Sequence, residues 1–299
     1  MRAVAYASVF EYPLEVDEVH RTLVGLRSSA AQVLAACQTS PWLRARIEHR
    51  DGFLLPRGRE QWIRQRRERE AASLTFLRSQ RGLLRLLCLL PFVRLLAISG
   101  SLAHLNAGPA ADLDLFIVTR GRRVWSVTLA IVLLAKLLGR RRTLCANFVV
   151  ADGRLAIEEQ DLFVANQVIH LKPLVGANLC ATFVSANPFV GSSYPNFTTW
   201  TELPLSVTPG PLSAGVKRMI ELILAVPSPA VEWLSRRAYG WHLRRQAARW
   251  QSPEQVRLNA DYLKLHTQSH RHSVLDRYDD ALACLDQRDS DETRARIAV

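Results

Sequence analysis

Asp112 and Asp114 stand one residue apart in the segment ISGSLAHLNAGPAADLDLFIV, and the pair Gly100-Ser101 precedes them by ten intervening residues. Side chains at i and i+2 of a strand share a face, so a strand through Asp112-Leu113-Asp114 aims both carboxylates at one point. The residues that follow, Leu115 to Val118, are wholly apolar, so the carboxylates open a buried strand. Two like charges there are costly unless cations accompany them. Mg2+ meets that need, because it takes carboxylate and phosphate oxygens together. Gly100 lets a phosphate approach the backbone closely, Ser101 adds a hydroxyl donor, and amides at a helix start favour an anion.

Positioning these groups requires a strand, a turn and a second strand. FVRLLAIS reads as a buried strand, SLAHLNA as a short helix and DLDLFIVTR as the second strand. VWSVTLAIVLLAKLL follows as a buried helix, LCANFVVAD and RLAIEE as further strands, and DLFVANQVIHLKPL as a helix. The expectation is an α+β domain with a mixed sheet over residues 91–186. Before it, residues 1–57 read as three short helices and a hairpin turning at Asp51-Gly52, the pattern of a winged helix. Residues 58–90 read as one Arg-rich connecting helix, 187–212 as a proline-rich irregular connector, and 213–299 as a helical region.

With that context, the segment resembles the DNA-polymerase-beta-like nucleotidyltransferase superfamily. The resemblance rests on an apolar strand ending in Ser99-Gly100-Ser101, a short helix, and the acid-apolar-acid triplet Asp112-Leu113-Asp114. The whole chain is similar to a prokaryotic group of such proteins with an N-terminal winged helix and a helical C-terminus, through YASVFEYPLEVDEVHRTLVG and YLKLHTQSHRHSVLDRY. The resemblance implies Mg2+-dependent transfer of a nucleoside monophosphate from a triphosphate, ATP first among them, to a hydroxyl acceptor, with pyrophosphate leaving. Gly100 and Ser101 are then expected to hold the β- and γ-phosphates, and Asp112 and Asp114 the metal. The superfamily usually adds a third acid from a neighbouring strand. Asn147 stands where that acid is expected, and Glu158, ahead of Glu159 and Asp152, is the first candidate to replace it. Asn can ligate a metal but is no useful base, so a non-catalytic module that binds nucleotide or a partner is the second reading.

The totals set the remaining expectations. The 299 residues carry 39 Lys and Arg against 27 Asp and Glu, a net charge of +12, which suits an anionic partner or a solubilising surface. A winged-helix nucleic-acid binder is the third reading, but its expected recognition helix, SSAAQVLAACQ, holds no Lys or Arg to meet phosphates. Five cysteines without C-x-x-C spacing argue for a reducing cytoplasm and against a zinc site. No apolar run reaches the about 20 residues that a spanning helix needs. His104 reads as a surface or packing histidine. His266, His270 and His272 lack further metal ligands, Trp233, Trp241 and Trp250 read as one packed face of a helix, and Arg140 to Arg142 as a solvated turn.

Overall fold

The computed structural model describes residues 1–109, 111–267 and 269–297, with side chains through 284. The last two residues of the expected helical region lie outside the described residues. The chain opens with α1 (Arg2–Ser8), β1 (Leu14–Glu15), α2 (Val16–Arg21), α3 (Ala30–Thr39), α4 (Pro41–Arg46), β2 (Ile47–Arg50) and β3 (Phe53–Pro56). Local signals account for most of these bounds. The Ser29 hydroxyl accepts from the Gln32 N–H to start α3, and Ser40 starts α4 with Pro41 in its first turn. Asp51 and Gly52 take positive φ at the hairpin turn. The strands pair antiparallel in the order β1-β3-β2. Val4, Leu14, Val19, Val33, Ile47 and Leu54 form the core beneath them.

The expected connecting helix is two helices, α5 (Gln61–Ser79) and α6 (Arg81–Leu89), broken at Gln80. Their packing differs: α5 turns the buried Arg66 back onto Glu18 at 2.6 Å, whereas α6 sinks Leu83, Leu84, Leu87 and Cys88 into the main core. One straight helix does not serve both directions.

The remaining elements are β4 (Val93–Ile98), α7 (Gly100–Ala103), β5 (Leu113–Thr119), α8 (Val124–Leu137), β6 (Leu144–Ala151), α9 (Leu162–Ile169), β7 (Lys172–Val175), α10 (Cys180–Ser185), α11 (Pro188–Ser193), α12 (Pro211–Ala225), α13 (Ser228–Arg245), β8 (Val256–Leu258), β9 (Tyr262–Leu265) and α14 (Arg271–Ile297). Six strands form one mixed sheet in the order β7-β4-β5-β6-β9-β8, with β5 and β6 parallel and the other pairs antiparallel. Alternation along β5 splits the core. Leu113, Leu115 and Ile117 join the layer of α6 and α8, while Phe116 and Val118 join the layer of α9, α10 and α11. Asp114 shares the parity of Phe116.

Residues 1–57 hold four short helices where three were expected, and further segments also differ from the sequence expectation. RLAIEE is not a strand: the Asn187 side chain takes its backbone, accepting from the Ile157 N–H at 2.8 Å and donating to the Leu155 carbonyl at 2.9 Å. The helix read through DLFVANQVIHLKPL stops at Ile169. Pro173 has no N–H to continue it, and Lys172–Val175 becomes an edge strand, where a proline is tolerated. The irregular connector contains one short helix, α11. The expected helical region carries β8 and β9, and β9, with Tyr262, Leu263 and Lys264 all buried, joins the sheet beside β6. Among the described residues no helix is long and apolar enough to cross a membrane, and all five cysteines are free.

Candidate functional site

β4 and β5 lie side by side, and the chain leaves β4 at the end where β5 begins. The Ser99 N–H donates to the Asp114 carbonyl at 2.9 Å, which fixes the turn against the strand. Gly100 then adopts φ +66°, and a Cβ there would stand 2.4 Å from Asp114 Oδ2. Both facts admit only glycine. Asp112 is exposed just ahead of β5, and Asp114 is half-buried as its second residue. The four residues Gly100, Ser101, Asp112 and Asp114 line one cleft of about 700 Å3. The four residues singled out from the sequence thus line one cleft, although Asp112 stands before the strand and not on it as expected.

Asn147 joins them through a β-bulge. Asp114 pairs with Cys145 and Phe116 with Phe148, so Ala146 and Asn147 together oppose Leu115. As a result Asn147 and Phe148 both line the cleft, and Asn147 Nδ2 donates to Asp114 Oδ1 at 2.5 Å.

The electrostatics follow from crowding. Burial raises the Asp114 carboxyl to about 6, the charge of Asp112 adds to the rise, and the Asn147 hydrogen bond opposes it. The Cys145 thiol goes up to about 11, first through burial and then through the charges of Asp114 and Asp112. Among the described residues no Lys, Arg or His forms an ion pair with Asp112 or Asp114. Nor is any group of three or more His, Cys, Asp or Glu gathered as a metal set among them. Two carboxylates without a cationic partner, one of them half-buried, fit Mg2+, which keeps several waters and needs few protein ligands when phosphates complete its shell.

Of the candidates for a third acid, Asp152 and Glu158 are not among the described residues lining the cleft, and Glu159 is. Asp152 follows the far end of β6, seven residues beyond Cys145 and so roughly 20 Å along the strand. It is held there by Arg94 at 2.9 Å and by the Gly121 N–H at 2.8 Å. Glu158 is paired with Arg154 at 2.9 Å and Arg257 at 3.1 Å and is not among the described residues lining the cleft. Glu159 does line it, bound to Lys264 at 2.8 Å. Burial drives the Glu159 carboxyl up, but Lys264, with Arg257, outweighs burial and leaves it below its ordinary value. Among the described residues the side chain that hydrogen-bonds to Asp114 is Asn147, and Glu159 is the candidate acid that shares its cleft.

The remaining walls hold groups that the sequence did not single out for the site. Lys264 and His266 enter because β9 pairs with β6, with Lys264 opposite Phe148. The His104 ring lies against that of His170, with centroids 4.1 Å apart and the planes tilted by 34°. Burial lowers the imidazole pKa of His104 well below the ordinary value and that of His170 to about 4, and Lys172 adds to both effects. Burial and then Lys264 lower His266 to about 4. These imidazoles are therefore neutral, and His104 packs as expected. His266 follows β9 and His270 precedes α14. Tyr6, Phe10 and Tyr12 bring the N-terminal unit to the same cleft and give it an aromatic end.

Comparison with known protein families, with curated proteins and with solved structures finds no match to this chain.

Proposed function

We propose that the chain is a Mg2+-dependent nucleotidyltransferase, its N-terminal unit a winged helix and its six-stranded sheet the nucleotidyltransferase core. The observation that carries this reading is the pair Asp112 and Asp114, set against Gly100-Ser101 in a cleft and without a basic partner among the described residues. Asp112 and Asp114 hold the metal, and Gly100 and Ser101 meet the triphosphate. Bound there, Mg2+ supplies charge neutralisation to the phosphate oxygens. An acceptor hydroxyl attacks the α-phosphorus, the bond to the bridging oxygen breaks, and pyrophosphate leaves with the electron pair. The acceptor proton passes to a base. Glu158 stays the sequence-based candidate for that role only if its two arginines release it.

A second reading is favoured by Asn147. An amide fills the place of a third carboxylate and already donates to Asp114. On that reading the cleft binds nucleotide and a partner reads the bound state, without turnover. Purified protein incubated with labelled triphosphates and Mg2+ separates the two. Labelled product with stoichiometric pyrophosphate supports transfer. Mg2+-dependent binding without pyrophosphate supports the module. Nucleic-acid binding by the N-terminal unit has less support, because Ala30–Thr39 carries no charged residue.

A further inference from the structure

α12 is built inside out. Its Lys217 faces the protein, donating to the backbone carbonyls of Cys88 and Val93 at 3.0 and 2.8 Å. Its Glu221 is buried, accepting from the Phe92 N–H at 2.7 Å. The apolar side chains face outward instead: Leu212 is 88% exposed, Leu222 70% and Ile223 67%. α13 repeats the arrangement. Glu232 is buried and accepts from the backbone N–H groups of Trp125 and Ser126, both at 2.8 Å, at the start of α8. Trp233, Leu234 and Trp241 are turned outward, at 62%, 61% and 54% exposure. The packed tryptophan face read from the sequence is therefore an exposed one, and α13 ends before Trp250.

An ordinary surface helix buries its apolar stripe and solvates its charges. Here both acids are spent holding the helices to the sheet layer, and the apolar stripes are left over. Exposed apolar surface of this extent marks an interaction site.

Charge selects the occupant. Every exposed charge among the described residues of α12 and α13 is positive: Arg218, Arg236, Arg237, Arg244 and Arg245. A second copy of this face would set arginine against arginine, which disfavours self-association. The arginines are interleaved with aromatics, Arg237 lying 5.3 Å from the Trp233 ring and Arg245 3.7 Å from the Trp241 ring. Leu and Ile that sink into acyl chains, Trp at the headgroup level and Arg at the phosphates form the composition of an interfacial helix. We propose that α12 and α13 dock the protein on the surface of a bilayer containing anionic phospholipid.

Co-sedimentation of the full chain with vesicles tests this. One set is phosphatidylcholine alone and the other phosphatidylcholine with phosphatidylglycerol. The wild type is expected to bind the anionic vesicles at least roughly tenfold more tightly, and added salt to weaken that binding. Leu222→Glu with Ile223→Glu should abolish it. Arg236→Glu with Arg237→Glu should weaken it on the order of tenfold or more, and Arg236→Lys with Arg237→Lys should retain it. All four side chains point outward, so thermal melts of the variants should match the wild type. Equal or absent binding to both vesicle types overturns the proposal. So does a wild-type dimer, measured by light scattering, that Leu222→Glu with Ile223→Glu turns into a monomer while vesicles capture neither. A fold-competent Leu222→Glu, Ile223→Glu variant that binds as the wild type does also refutes it.

Discussion

Gly100 and Asp114 are in contact across the turn between β4 and β5, so closely that a Cβ on Gly100 would meet Asp114 Oδ2 at 2.4 Å. The strand cannot move away, because the Ser99 N–H holds the Asp114 carbonyl. Gly100→Ala must therefore turn the carboxylate aside and also strain a backbone at φ +66°. A stability loss of about 1–3 kcal/mol is expected, together with loss of Mg2+-dependent nucleotide binding. Denaturant unfolding and calorimetry read the two effects separately. An alanine variant that binds Mg2+ and nucleotide normally would show that Asp114 is not the ligand.

Asp112→Asn with Asp114→Asn should not weaken the apo protein. The pKa of Asp114 is raised to about 6, so its charged form is disfavoured in the fold, and above that pH neutralising it is expected to raise stability by roughly 1–2 kcal/mol. A structural salt bridge would behave oppositely, costing about 3–5 kcal/mol when one partner is removed. Unfolding of both proteins in a chelating buffer at pH 7.5 discriminates.

Glu158→Ala tests the sequence-based third acid. Its carboxylate sits between Arg154 and Arg257 at partly exposed positions, where such pairs contribute about 0–1 kcal/mol. A small change in stability and an unchanged rate of pyrophosphate release are expected. A rate drop of a hundredfold would show that Glu158 leaves its arginines and enters the reaction.

Asn147→Asp adds a carboxylate at the bulge, where the Asn147 amide now donates to Asp114. Three neighbouring charges should lower apo stability and tighten Mg2+ binding. If the wild type is the non-catalytic module, this variant is the one in which turnover should appear, read as pyrophosphate release.

Acid should destabilise the protein between pH 6.5 and 4. His170 and His266 are depressed to about 4 in the fold, so the unfolded chain takes up protons that the native state refuses. Their contribution is complete above about 6.5, the unfolded value, and is lost as pH falls towards about 4. A loss of roughly 1–2 kcal/mol from each is expected at pH 5. Asp114 acts in the reverse sense. Raised to about 6, it binds its proton more tightly in the fold and recovers part of the loss as pH falls below that value. Denaturant midpoints across this range should decline, and His266→Gln should flatten the curve.

Much of this arrangement was legible in the residues. Gly100-Ser101 and Asp112-Leu113-Asp114 declare a turn and a strand through backbone permissiveness and two-residue alternation, and these are local properties. Ser29 and Asp51-Gly52 likewise mark their own cap and turn. What escaped was non-local. RLAIEE looks like a strand until Asn187, far along the chain, takes its hydrogen bonds. β9 and its Lys264 reach the cleft only because β6 offers an open edge. The bulge that turns Asn147 towards Asp114 depends on the β5–β6 register, which no single strand encodes. Trp233 and Trp241 carry the spacing of a packed stripe, yet Glu232 binds the start of α8 and turns them outward.

Mg2+-dependent nucleotide binding is the central claim, and one set of thermal melts addresses it. Wild type and the Asp112→Asn, Asp114→Asn protein are each heated with ATP, with and without Mg2+. The account predicts a rise in midpoint for the wild type only when ATP and Mg2+ are both present, and none for the double variant, whose ligand-free melt matches or exceeds the wild type. No shift in the wild type, together with a large ligand-free loss in the variant, would contradict the account and make Asp112 and Asp114 a structural pair.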